Sequence, residues 1–173
     1  MFELFFQLGL GFTIALSGAL LPGPLLAFVS MKTLESGPTA GTLAALGHIL
    51  VEMGILGVVA IGLGTLLKSS WFSLGVGTIG GVLLLGLGIM ILKESRSPPE
   101  STDDLAGKKH HPVVGGVLFS TVLNPSVVLW WMTVGLATIT KAIGTAGLLG
   151  GLFWIIGHFL ADLGWFSTVS YSI

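Results

Sequence analysis

Cysteine is absent from this chain, and charge is scarce. Without cysteine there are no disulfides, no thiolate metal ligands and no sulfur nucleophile. Lysine, arginine, aspartate and glutamate together make up 9% of the 173 residues, where a soluble globular domain carries about 25%. Most of the surface must therefore face something other than water. A net charge of −1 gives no electrostatic case for nucleic acid as a partner. Gly-x-Ser-x-Gly, His-Glu-x-x-His and phosphate-cradling glycine loops are missing as well, and with them the common signatures of hydrolases, zinc peptidases and nucleotide binders. An intramembrane enzyme would have to rely on Ser17 with His48 or His158 as its base. No motif calls for a cofactor.

What is present is long apolar sequence. Residues 4–31, 69–92 and 112–140 contain no Asp, Glu, Lys or Arg. Each run is long enough to cross a hydrocarbon core of about 30 Å at about 1.5 Å per helical residue. Residues 41–67 and 147–171 are equally apolar, apart from His48 and Glu52 in one and His158 and Asp162 in the other. The expected fold is an all-α integral membrane protein with five transmembrane helices, and its first partner is the lipid bilayer. A cleaved signal peptide does not account for the first run, which is too long and begins Met-Phe-Glu without a basic segment.

Short breaks fall at 32–39, 68–70 and 141–145. The one polar linker, 94–112, carries Ser95, Arg96, Ser97, Pro98, Pro99, Glu100, Asp103 and Asp104, a composition that reads as a solvated loop, with His110 and His111 solvated too. If the linker is cytoplasmic, Lys32, Lys93, Arg96, Lys108 and Lys109 lie inside and Lys68 and Lys141 outside. Positive residues gather on the cytoplasmic side, so the expectation is a multi-pass protein of the cell membrane with an external N-terminus. Glycine is frequent, and Gly77-x-x-x-Gly81 and Gly147-x-x-x-Gly151 suit close helix packing.

The pattern Gly-His-x-Leu-x-acid-x-Gly occurs twice, over 47–54 and 157–164. The first and fourth spans also correspond, since Pro22-Gly23-Pro24 interrupts one and Asn124-Pro125 the other. Proline inside a helix removes a hydrogen bond and clashes with the preceding turn, and irregular backbone at membrane depth survives only inside protein or beside a water-filled cavity. Spans one and two thus match spans four and five. The chain divides into a first unit, 1–93, of three helices, the linker, and a second unit, 113–173, of two. An odd number of crossings inverts the second unit, and the same logic expects a sixth helix matching 71–92, absent here. Inverted repeats with broken helices are the marks of secondary transporters.

Ionisable groups at mid-membrane are expensive, and mark function by default. His48 with Glu52, and His158 with Asp162, are each spaced i, i+4 and share a helical face. One reading is proton coupling through His48, Glu52, His158 and Asp162. Another is a set of structural hydrogen bonds. A third is a divalent metal exporter, with two imidazoles and two carboxylates fit for zinc or manganese. Whether each histidine meets its own acid or reaches across to the other stays open. Helix ends freed at Pro22, Gly23, Pro24, Asn124 and Pro125 would present N–H groups to a substrate carboxylate, with Trp130 and Trp131 as walls or as packing.

Pro22-Gly23-Pro24, the following Gly37 and Gly41, Asn124-Pro125, and the two Gly-His motifs, the second running on to Trp165, together resemble the lysine-exporter (LysE/RhtB-type) family of amino-acid transporters. The resemblance extends over essentially the whole chain. It implies six helices, of which the last is lacking here, and export of amino acids or related small molecules by proton antiport. Ser126 stands where many members carry lysine after Asn-Pro. A homo-oligomer is compatible with the sequence, which does not specify one.

Overall fold

Proline positions decide where helices begin. The structure, a computed structural model, describes residues 1–58, 60, 71, 78, 111–120 and 124–173. Helix α1 (Phe2–Ala19) stops short of Pro22, and α2 (Pro24–Ser36) starts with Pro24 in its first turn. Proline fits there because its missing N–H would have no intrahelical acceptor and its φ is already helical. Gly23, fully extended, is the N-cap of α2. After α3 (Thr39–Val58), the second interruption repeats the device. Helix α4 (Pro112–Ser120) precedes it, and α5 (Pro125–Trp130) opens with Pro125 behind the N-cap Asn124. A π turn (Trp131–Gly135) then carries α5 into α6 (Leu136–Ser172).

Helix α6 has 37 residues and would measure about 55 Å if straight, far more than the apolar core of a bilayer. It bends instead at Ala146 (φ −130) and Gly147 (φ 67), giving legs 136–145 and 148–172. A positive φ suits glycine, which lacks the Cβ that would clash. Gly37 (φ 90), between α2 and α3, is the other positive-φ residue among those described.

The interruption expected at Pro22-Gly23-Pro24 is a full break, which divides the run over 4–31 into two helices. Two other expectations are corrected. No break falls at 141–145, which stays helical until the turn at Gly147. Gly147 is that turn and not a packing glycine, whereas Gly151 does lie against Ile143 of the preceding leg. The expected span over 71–92 apart from Trp71 and Thr78, Gly77-x-x-x-Gly81, and all of the linker 94–112 but its last two residues lie outside the described residues.

Segments 1–58 and 111–173 interlock. One constant separation along the chain relates Gly37 to Gly147, Ala44 to Trp154, Gly47 to Gly157, His48 to His158 and Glu52 to Asp162. A second relates α1 to α4, pairing Leu8 with Val113, Gly11 with Gly116 and Ala15 with Ser120. The contacts obey both relations. Gly47 lies against the carbonyl of Val113 and Gly157 against that of Leu8, while Gly116 meets the carbonyl of Ala44 and Gly11 that of Trp154. Each Gly-His helix therefore packs on the opening helix of the other unit, the reciprocity expected of a pseudo-twofold axis. At all four glycines a Cβ would collide with a backbone oxygen. Glycine is what permits the approach.

Burial is inverted relative to a soluble protein. Phe5, Phe6, Leu50, Met53, Leu149, Leu152 and Leu160 are exposed, while Gln7, His48, Glu52, Ser120, Asn124, His158 and Asp162 are buried. Such a surface is stable against lipid and not against water. Among the described residues three helical stretches, Phe2–Ala19, Thr39–Val58 and Ser126–Ser172, are long and apolar enough to cross a membrane, and the turn at Gly147 divides the last in two. Within this shell Leu25, Val29, Ala44, Ala45, Phe119 and Phe166 form one apolar core. At its edge Ser170 Oγ donates to the Pro38 carbonyl at 2.7 Å and accepts from the Gly41 N–H at 3.0 Å, tying the end of α6 to the α2–α3 turn.

Candidate functional site

Helical spacing places His48 over Glu52 on α3, and His158 over Asp162 on the second leg of α6. The packing of Gly47 and Gly157 turns both faces inward, and all four side chains meet in one buried cluster. His48, Glu52 and Asp162 are at most 6% exposed, and one donor atom from each lies within 4.8 Å of the others. The question of pairing has a definite answer: Glu52 is shared. Its Oε1 lies 3.5 Å from Nε2 of His48 on its own helix and 2.9 Å from Nε2 of His158 across the interface. Trp131 Nε1 donates to the same oxygen at 2.8 Å. His158 Nε2 is also 3.3 Å from Asp162 Oδ2, but the alignment makes no hydrogen bond, and Oδ2 finds no partner among the described residues.

The second nitrogens of the two histidines differ. His48 Nδ1 and Ser120 Oγ are hydrogen-bonded at 2.9 Å. His158 Nδ1 has no hydrogen-bond partner among the described residues, and neither has Glu52 Oε2. Three indoles surround the His158 ring instead, Trp130, Trp131 and Trp154, with ring centroids at 5.0, 4.9 and 5.5 Å. No lysine or arginine is buried among the described residues, so no fixed positive side chain balances the two acids.

The two helix breaks meet as well. A Cβ placed on Gly23 would lie 3.9 Å from Asn124 Nδ2, so the N-cap of α2 faces the N-cap of α5. Asn124 is buried, and its Oδ1 accepts a hydrogen bond from Ser126. Gly23, between Pro22 and Pro24, thus stands opposite Asn124, the residue before Pro125. Trp130 links this region to the acid–histidine cluster. Its Nε1 donates to Ser17 Oγ at 3.3 Å, its indole lies against Gly18, and its ring faces His158. The adjacent tryptophans both point inward because the π turn begins at Trp131 and Gly135 leaves room for their rings.

Ser17 Oγ donates to the Ile14 carbonyl at 2.6 Å and, among the described residues, bonds to no histidine, which removes the geometry of an activated nucleophile. Exposed His111 accepts from the Val113 N–H at 3.4 Å and takes no part in the cluster. Sequence reasoning missed Ser120 and Trp154, and left Trp131 between wall and packing. Trp154 was findable, since it follows Ala44 at the same separation as the two histidines.

The model of one protein family, LysE type translocator, matches residues 16–173. No curated protein and no solved structure matches the chain.

Proposed function

The chain belongs to the LysE type translocator family, and from that premise we propose that this multi-pass membrane protein exports amino acids or related small molecules across the cell membrane by proton antiport. The observation that carries the reading is the meeting of the two helix breaks beside a buried acid–histidine cluster. Binding is assigned to Pro22, Gly23, Pro24, Asn124 and Pro125. Gly23 caps a helix of 13 residues with no side chain bonded to its first N–H groups, and such an end attracts a carboxylate. Coupling is assigned to His48, Glu52, His158 and Asp162, where two acids with no lysine or arginine partner among the described residues exchange protons as access alternates. The units 1–93 and 113–173 rock about the fixed site, with the N-terminus outside and the 94–112 linker in the cytoplasm.

The test is exchange of a panel of labelled amino acids in liposomes under an imposed pH gradient. Gradient-driven movement of one amino acid, lost in Asp162→Asn with the folded protein retained, is the expected result. Unaltered coupling in that variant would remove the acids from the mechanism. No movement of any amino acid by a folded, inserted protein would remove the cargo.

A further inference from the structure

The buried cluster has the geometry of a metal site. Donors bound to one tetrahedral ion at about 2.0–2.1 Å stand about 3.4 Å from one another. His48 Nε2 and Glu52 Oε1 are 3.5 Å apart, and His158 Nε2 and Asp162 Oδ2 are 3.3 Å apart. One ring nitrogen of His48, a Glu52 oxygen and an Asp162 oxygen fall within 4.8 Å of one another, so a bound ion would draw the widest of them closer. The carboxyl groups of Glu52 and Asp162 lie within hydrogen-bonding reach of each other, and Glu52 Oε2 and Asp162 Oδ2 are buried with no N–H or O–H donor among the described residues.

The surroundings fit the same chemistry. A ligating histidine is normally held through its other nitrogen, and Ser120 Oγ holds His48 Nδ1 at 2.9 Å, aiming Nε2 at Glu52. Trp131 orients Glu52 in turn. Two carboxylates with no buried lysine or arginine among the described residues carry a formal charge that one divalent cation would cancel. We infer that His48, Glu52 and Asp162 bind a divalent transition-metal ion of the zinc class, with water completing its coordination and His158 hydrogen-bonded to Glu52 beside it. Nitrogen and oxygen donors in this ratio select Zn²⁺ and its neighbours over Mg²⁺, which prefers six oxygens and keeps its waters. The site is the one assigned to coupling, but the inference stands on its geometry alone, whatever the cargo.

The experiment is titration of the purified full chain in detergent with Co²⁺, followed by competition with Zn²⁺. Expected are the strong visible absorption of four-coordinate Co²⁺ at one ion per chain, quenching of fluorescence from Trp130, Trp131 and Trp154, and reversal of both by Zn²⁺. Asp162→Asn should weaken binding at least about 100-fold. Ser120→Ala, which touches no ligand atom, should weaken it about 10-fold and serves if the first variant fails to fold. Absence of the absorption in the folded wild type, an equal response to Mg²⁺, or unchanged affinity in both variants would overturn the inference. Because no transport is measured, this outcome is independent of the amino-acid reading.

Discussion

The two halves of the molecule agree in how their backbones approach and disagree in what surrounds their histidines. Gly47 and Gly157 occupy equivalent positions and make equivalent contacts, each against a carbonyl of the opposite unit's opening helix. Their neighbours His48 and His158 are equivalent in sequence only. One is held by Ser120 and faces Phe166 with ring centroids 5.9 Å apart. The other lies among three indoles with an unpartnered nitrogen. Packing demands tolerate little change, since interiors are close-packed and a misplaced methyl is felt at once. Polar surroundings have more freedom, and here the halves have diverged.

The agreement predicts the largest effects. Gly157→Ala and Gly47→Ala each drive a methyl group into a backbone oxygen, and each should cost about 3 kcal/mol or more, seen as a fall in thermal unfolding temperature in detergent. The equivalence requires losses of similar size. A variant that unfolds at the wild-type temperature would break it.

The next effect separates the acids. Glu52 Oε1 accepts from Trp131 and meets His158, whereas Asp162 Oδ2 accepts no hydrogen bond from the described residues. Removing an acceptor that leaves buried donors unsatisfied costs about 1–3 kcal/mol. Glu52→Ala should therefore lower the unfolding temperature more than Asp162→Ala. The reverse order would mean that Asp162, not Glu52, is the structural hub.

That hub marks how far the sequence could be read. The apolar runs, both helix breaks and the four ionisable residues were all visible, because hydrophobic length, proline and the cost of buried charge act locally or act alone. The repeated Gly-His motif even foretold that the two faces are related. Pairing was out of reach, since Glu52 and His158 meet only where α3 packs on the second leg of α6, a contact between distant segments that also sets Gly41 against Phe166. The turn at Gly147 was misplaced because Lys141 looked like a membrane boundary, yet its residue stays helical for one more turn. A lysine near the end of a span reaches toward water without ending the helix. Trp131 was ambiguous for a different reason. Its role depends on a π turn, a local change of helical register that no periodicity announces.

The smallest effect bears most directly on the difference between the halves. By the separation that pairs Gly11 with Gly116, Ala15 occupies in α1 the position that Ser120 holds in α4. Ser120→Ala removes the partner of His48 Nδ1, and should cost about 0.6–1.7 kcal/mol, the range for polar contacts within membrane bundles. Ala15→Ser should do the converse, adding one oxygen at a buried position that the same equivalence would set toward the unpartnered Nδ1 of His158. Hydrogen bonding there and crowding nearly offset, so its net change should stay within about 0.5 kcal/mol. The double variant then carries the argument. If the halves are interchangeable at this point, exchanging the serine between them should recover part of the loss in Ser120→Ala. If His48 alone needs a fixed ring, unfolding in the double variant should match that of Ser120→Ala, and the asymmetry belongs to the site's working rather than to its history.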